Sequence, residues 1–590
     1  MKKTSTPILL SAIILAVLVI GVFLYRLVNR MLLVSSLQEE RVEIIPARRG
    51  DLFDCEGNLV AMSVPVYDVH LDCSIIESPV YWKEQTLALA PKLAALLPEH
   101  TAAEWWDYLQ YGRQTGNRYL KIGKNLSPET KDSIARLPVF NLPPLKGGAI
   151  YTSGTRRVYP YDSLARRTLG YVRETQNIKV GIEGNYDFYL RGHDGSTTVR
   201  TGWYKGKKER LVTQTEKVYD GADGMITLSM PLQALADSAL RAGIGDDLDI
   251  EAGCVILMEV ETGCIRAMVN LSRGKMSYES TRLWERYNYA IGHSYEPGEV
   301  LQTMTLASLL RDGCLHSLET EMPTRHGILP DMPQDLQLKE YEREHRTDCI
   351  SVADAFALSS HYGLAYLATE AYDASRKYYT ESLRSMCLPY GLNISLKGLQ
   401  EMDITRPGGY YWEPSTLSRI ANGYAITMVP LDILSFYNTI ANKGQMVRPH
   451  VMERVWEGST TVFNNPSGGV VRADVFSAAV ADTLTRALMA VTESGTGSRL
   501  ADARYPVAGK TGTARQIIQV HYNEKGQLID PYHDDQGRFK TAATYAGFFP
   551  ADAPKYSIIC VLYSVPCRKT YFGGTLPALI VKDIINGIEL

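Results

Sequence analysis

Lysine, serine, histidine and carboxylate side chains occur at spacings that acyl-transfer chemistry could use. Lys510-Thr511-Gly512-Thr513, inside YPVAGKTGTARQ, sets an ammonium beside two hydroxyls. Ser359-Ser360-His361 joins two hydroxyls to an imidazole, which titrates near neutrality and can serve as a general base. Glu299 and Gln302 stand three apart in EVLQ, a spacing that shares one helix face. Serine is a poor nucleophile until a base takes its proton, and a lysine three residues further along a helix is one such base. Ser272-Arg273-Gly274-Lys275 spells that spacing literally, but ordinary serine and lysine abundance produces about two such matches by chance in a chain of this size. It follows an apolar run and contains Gly274, so a loop is expected there. Ser294 and Thr303 have no lysine three residues on.

Other chemistries find little support. The nine cysteines form no CxxC and no Cys/His pair at metal spacing, and their number is odd. A disulfide framework or metal site is therefore not expected, nor is a cofactor. Cys254, Cys264 and Cys560 sit in apolar runs and read as small core residues. A net charge of -3 supplies no basic footprint for nucleic acid. Apolar residues make up 45% and charged residues 22% of 590. That is ordinary globular composition, and the length suggests about three or four structural units.

Residues Pro7 to Tyr25 carry no charge across nineteen positions. At about 1.5 Å per residue this nearly covers a hydrocarbon core of about 30 Å. Lys2 and Lys3 precede it, and Arg26 and Arg30 follow where a signal peptide would carry a cleavage site. An uncleaved single-pass anchor is expected, with no second span of comparable length.

Beyond the anchor, VYDVHLD alternates like a half-buried strand and DCEGN supplies a turn. Residues 80–140 read as helical, and 196–224, rich in Thr, Lys and Gly, as a passage between modules. From Asp223 the pattern changes. GCVILMEVETGCIRAMVNLS reads as a hairpin turning at Glu261 to Gly263. Helical stretches follow, then strands at VAGKTGTAR, TYAGFFP and YSIICVLY and a closing helix near Ala578 to Ile588. Two strands, then helices, then three strands predict an α+β module: one antiparallel sheet covered by helices.

Six blocks in order carry a family resemblance over nearly the whole chain. Arg49-Gly50-Asp51-Leu52-Phe53-Asp54 with Gly57, Arg157-Val158-Tyr159-Pro160 with Gly170-Tyr171, and Gly181-Ile182-Glu183-Gly184 through Gly195 resemble the pedestal signatures of class B penicillin-binding proteins. Tyr295-Glu296-Pro297-Gly298, Arg448-Pro449 and the Lys510 triplet resemble blocks of its catalytic module, and KTG on a strand is one of that family's three motifs. The division-type, septal D,D-transpeptidases are the nearest subgroup.

The resemblance implies a short cytoplasmic tail (1–6), an anchor (7–28), an elongated pedestal (40–222) and a transpeptidase-like domain (223–590). It also implies a bacterial inner membrane, with the bulk of the chain in the periplasm. Peptidoglycan stem peptide, a polytopic membrane glycan polymerase and division proteins are the implied partners. In the family, a serine attacks a D-Ala-D-Ala carbonyl, a lysine three residues on activates it, an SxN motif and KTG position base and substrate, and backbone N–H groups hold the oxyanion. This chain departs from that pattern. Glu299 and Gln302 stand where Ser and Lys belong, Ser359 is kept, His361 replaces Asn, and only Lys510-Thr511-Gly512-Thr513 is intact for substrate binding. A carboxylate attacking an amide would give an anhydride that water destroys before an amine arrives, and glutamine exchanges no proton near neutrality.

The expectation is thus a non-catalytic scaffold or regulator of cell-wall synthesis. Two alternatives stand: an active D,D-transpeptidase with an unrecognised nucleophile, and a module that binds stem peptides or β-lactams without turnover. Two points follow for the cleft. Glu299 is expected to pair with Lys510, with His361 filling the space of the missing Asn. Inactivity further requires that no other serine stand beside a lysine there.

Overall fold

The uncharged N-terminal run forms α1 (Thr6–Ser36). Among the described residues it is the one helix long and apolar enough to cross a membrane, over Ile14–Leu32. The computed structural model describes residues 6–36, 39–204, 207–274, 282–389, 396–518, 521–522 and 528–590. They fall into two units. The first holds the described residues up to Asp51, Ala61–Val158 and Tyr189–Ala222, and the second holds Leu52–Val60, Tyr159–Phe188 and Asp223–Leu590.

In the first unit the alternating run becomes strand Leu59–Leu71, paired antiparallel with Leu120–Leu126 and Ala149–Val158. Helices Pro79–Leu96 and Ala102–Gln114 start where Ser78 and Thr101 accept backbone N–H groups, as N-caps do. Their Trp82, Leu89, Leu93 and Trp105 close a core with Val69, Leu71 and Leu120. The region expected to be helical between 80 and 140 thus also contains a strand. The stretch expected to be a passage contains strands Gly195–Tyr204 and Lys207–Glu216, the first of which also pairs with Glu39–Ile45. The β-branched residues at 197–199 and 201 and the aromatics at 203 and 204 favour extended backbone, which overrides the composition.

The second unit is organised by α2 (Met230–Ile244), capped by Ser229 and ended by Gly245, and by one six-stranded antiparallel sheet. The expected hairpin forms β1 (Ile250–Glu259) and β2 (Ile265–Arg273), in register Ala252↔Ser272 to Leu257↔Ala267. Ser272 therefore lies in a strand and not the loop expected, and Lys275 lies outside the described residues. A short strand, β3 (Leu283–Trp284), borders β2. The middle helices include α3 (Gln302–Arg311), α4 (Val352–Ala357), α5 (His361–Tyr372) and α6 (Pro430–Ala441). The last strands are β4 (Ala508–Gln516), β5 (Lys540–Phe549) and β6 (Tyr556–Ser564), followed by α7 (Leu576–Gly587). The strand order is β3-β2-β1-β6-β5-β4.

Residues of one parity, Val255, Leu257, Ile558, Cys560 and Leu562, pack with Leu240 of α2 and Ile580, Val581 and Ile584 of α7. Those of the other parity, among them Ile256, Ile559 and Val561, are equally buried, and α6 packs on the same strands. Helices thus cover the sheet, and the central strands read as continuous apolar runs because little of either face meets water. The order leaves β4, which carries Lys510, at an edge.

Leu257 is fully buried at the centre of this sheet, whereas Tyr410 is 84% exposed. Leu257→Ala is expected to destabilise the full-length protein by about 2–5 kcal/mol, and Tyr410→Ala to change it by less than about 0.5 kcal/mol. Denaturant unfolding in detergent measures both.

Candidate active site

An edge strand presents alternate N–H groups that no neighbouring strand takes up. Along the free edge of β4 runs a tight turn, Gly298–Leu301, that leads into α3. The turn comes close because residue 512 has no side chain: a Cβ there would lie 2.9 Å from the Pro297 carbonyl and 3.0 Å from Val300. Gly298, at φ +65°, lies equally close to Thr513 and Ala514. The glycine of the Lys-Thr-Gly triplet is thus required by packing, and it brings residue 299 against the strand.

Glu299 is 8% exposed. Its Oε2 accepts the Thr513 backbone N–H at 2.6 Å, and its Oε1 lies 2.5 Å from His361 Nε2. Burial opposes ionisation of Glu299, but the hydrogen bond and charge of His361, the charge of Lys510 and the Thr513 N–H outweigh it, leaving the carboxyl below its usual range. Burial likewise disfavours the imidazolium of His361, and the hydrogen bond and charge of Glu299 override that and hold it above its usual value. His361 stands at the start of α5, where Ser360 caps the helix by accepting the Gly363 N–H and donates to Asp335.

Gln302 is fully buried; its Nε2 donates to the Ser360 carbonyl at 3.1 Å and to Asn422 Oδ1 at 2.8 Å. It holds the start of α3 to α5 and the 422 loop but offers no proton acceptor of useful basicity.

Lys510 is also fully buried, and its Nζ donates to Ser359 Oγ at 2.5 Å and to the Thr511 carbonyl at 3.2 Å. Ser359 Oγ lies 3.0 Å from Thr496 Oγ1, itself 2.6 Å from Thr511 Oγ1. Burial pulls Lys510 down to about 7, with Glu299 partly restoring it. Ser359 sits at φ +58°, a left-handed conformation of the kind found at constrained sites. Glu299, Ser359, His361, Thr496, Thr511 and Thr513 line a cleft of about 820 Å³ that also holds Arg499, Arg515 and Tyr424, with Lys510 and Gln302 buried behind its wall.

The structure brings Glu299, Ser359, His361, Lys510, Thr511 and Thr513 together, with Gln302 behind them. Two expectations need correction. No ion pair joins Glu299 to Lys510, because His361 and Thr513 take the carboxylate and Ser359 takes the ammonium. A serine does stand beside a lysine, Ser359 against Lys510, so the condition set for inactivity is not met and inactivity would have to rest on other features of the site. Ser359 was singled out at its motif position, but its bond to a lysine 151 residues away had no local signal. Thr496 and Asn422, which bridge these motifs, lie in no recognisable pattern and were missed.

Two domain families match the chain. The penicillin binding protein transpeptidase domain covers residues 253–586 and the penicillin-binding protein dimerisation domain covers 44–224. The peptidoglycan D,D-transpeptidase FtsI of Escherichia coli (strain K12) is 24% identical over 566 residues, 94% of this chain and 85% of that protein. The probable peptidoglycan D,D-transpeptidase PenA of Neisseria meningitidis is 22% identical over 559 residues, 93% and 85% of the two chains. Among solved structures, penicillin binding protein 2X of Streptococcus thermophilus aligns with a TM-score of 0.68 at 19% identity, covering 92% of this chain and 79% of that one. A peptidoglycan synthetase of Bifidobacterium adolescentis aligns at 0.63, also at 19%, covering 92% and 96%.

The depressed Lys510 sets a pH dependence. Its ordinary value of 10.5 falls to about 7 on folding, so between those values the unfolded chain binds the extra proton and stability rises with pH. The contribution is complete above 10.5 and gone below about 7. Lys510→Met is expected to abolish this rise, giving a variant more stable than the parent at pH 6 and less so at pH 10. Urea unfolding at the two pH values checks it.

Proposed function

The chain belongs to the class B penicillin-binding proteins, and on that footing we propose that it serves peptidoglycan synthesis and cell division as a non-catalytic component. One observation carries this reading: the Glu299 carboxylate, placed where the family has its nucleophilic serine, occupies the Thr513 N–H at 2.6 Å. A tetrahedral acyl intermediate needs fixed donors for its oxyanion, and losing one costs about 10²–10³ in rate. The outward N–H of β4 is such a donor, and an anion already holds it. A substrate carbonyl approaching this site meets a carboxylate and is repelled where it should be polarised. Gln302 adds no base.

The remaining features fit a structural role. α1 would anchor the protein in the inner membrane with the bulk of the chain in the periplasm. The pedestal, residues 40–222, and the anchor would then engage a polytopic glycan polymerase and division proteins, as the resemblance implies. The hydroxyls of Thr511 and Thr513, both on the cleft wall, would be what remains to meet a stem-peptide carboxylate.

The Ser359–Lys510 contact favours a second reading, an active transpeptidase that uses Ser359. A lysine drawn to about 7 is basic enough to accept a hydroxyl proton and neutral often enough to do so. Against it, Ser359 shares its hydroxyl with Thr496, and the outward Thr513 N–H is engaged by Glu299.

Incubating the full-length protein with a fluorescent penicillin separates the two. No band above background and no acyl adduct by mass spectrometry is the expected result; an adduct mapped to Ser359 would establish the second reading instead. The combined variant Glu299→Ser, Gln302→Lys, His361→Asn is expected to label covalently, because it frees the Thr513 N–H and restores nucleophile and base together. Failure of a folded triple variant to label would count against the idea that these three positions decide the matter.

A further inference from the structure

The Glu299–His361 contact joins a turn to a helix, and one loop holds both. Asn422 ends the helix Thr416–Ala421 and is fully buried. Its Oδ1 accepts from Gln302 Nε2 at 2.8 Å, and its Nδ2 donates to the His361 carbonyl at 2.8 Å and to the Ser418 carbonyl at 3.2 Å. Gln302 is the first residue of α3, and His361 is the first of α5. One amide therefore ties the starts of the two helices together.

The next residue grips the turn itself. The Gly298 N–H donates to the Gly423 carbonyl at 3.2 Å. A Cβ on Gly423, which sits at φ +79°, would lie 2.0 Å from the Gly298 carbonyl oxygen, so this approach requires glycine. Tyr295 and Met428 exchange two backbone hydrogen bonds of 3.0 Å, and the Ala425 N–H donates to Glu296 at 2.9 Å. The segment 422–428 thus supports the stretch from Tyr295 to Gly298 along its length.

These contacts close a ring. From Glu299 the chain runs three residues to Gln302, crosses the Asn422 amide to the His361 backbone, and returns through the imidazole to the Glu299 carboxylate at 2.5 Å. Asparagine suits this place because its amide offers an oxygen acceptor and two N–H donors, and each is used. Aspartate would lack the donors, and an apolar side chain would lack both. Neither helix start can withdraw without breaking a buried hydrogen bond.

We propose that Asn422 is a positioning residue: it fixes α3 against α5 and so holds the Glu299 carboxylate between His361 and the Thr513 N–H. This rests on the reading of Glu299 as the group that occupies that N–H, and it names the residue that keeps it there. His361 reports on the contact. Besides Glu299, the charges acting on its ring are Asp335, which favours the imidazolium, and Lys510, which opposes it together with burial.

The test is the titration of His361, followed by NMR of the full-length protein in detergent with isotope-labelled histidine, the signal being assigned by its loss in His361→Gln. Asn422→Leu is expected to loosen the contact and lower the titration by about one pH unit, a tenfold loss of proton affinity. Thr303→Val is the control. It removes the 2.8 Å bond between the buried Thr303 hydroxyl of the same helix and Tyr437, and is expected to lower stability while leaving His361 unmoved. If Asn422→Leu does not fold, Gln302→Leu decides, because it cuts the Asn422 tie to α3 and is expected to shift His361 in the same direction. An unchanged His361 in the deciding variant, or an equal shift in Thr303→Val, would overturn the proposal. Penicillin labelling tests the reading of the cleft separately, so either can fail without the other.

Discussion

A backbone N–H at the free edge of a sheet must find a partner, and in this protein the partner of Thr513 is a side chain of the chain itself. Gly512 lets the Gly298–Leu301 turn approach β4 closely, so whatever stands at residue 299 lies against that donor. A serine there would leave the N–H free for an incoming carbonyl. The glutamate is long enough to reach it and anionic enough to hold it, with His361 securing the other oxygen. The donor at the strand edge thus holds a ligand supplied by the chain itself.

The three departures from the family pattern compensate one another. Replacing serine by glutamate adds a negative charge, and replacing lysine by glutamine at 302 removes a positive one. Left alone, these changes would bury an unbalanced carboxylate, which costs several kcal/mol unless it is paired. Histidine at 361 supplies the pairing, and Lys510 adds a favourable field without contact. Gln302 meanwhile spends its amide on Ser360 and Asn422. The cleft is a hydrogen-bonded polar network, in which Gln302 Oε1 alone of these carboxylate and amide oxygens is left without a partner.

Glu296 and Glu299 stand three residues apart in the C-terminal unit. Glu299 lines the cleft, whereas Glu296 is held by the Ala425 N–H and the Tyr532 hydroxyl. They differ in partners. Glu299 has both oxygens engaged, whereas Glu296 keeps one free.

Much of this was legible in the sequence. The apolar run of α1, the β1–β2 hairpin with its turn at Glu261 to Gly263, strands β4 to β6 and α7 all announce themselves by local periodicity. The residues at 299, 302 and 361 are read directly from the chain, and the structure adds what each of their side chains meets. Where composition stood in for alternation, as in the ribbon of Gly195–Glu216 or the strand Leu120–Leu126, the reading failed. What only the tertiary structure decided is which charged groups meet. Glu299 and Thr513 are 214 residues apart and Ser359 and Lys510 are 151 apart, and no pattern along the chain encodes such pairings. They follow from the strand order that leaves β4 at the edge and from the close approach that Gly512 permits. Periodicity reports which face of an element is buried; only packing settles which neighbour a buried charge finds there.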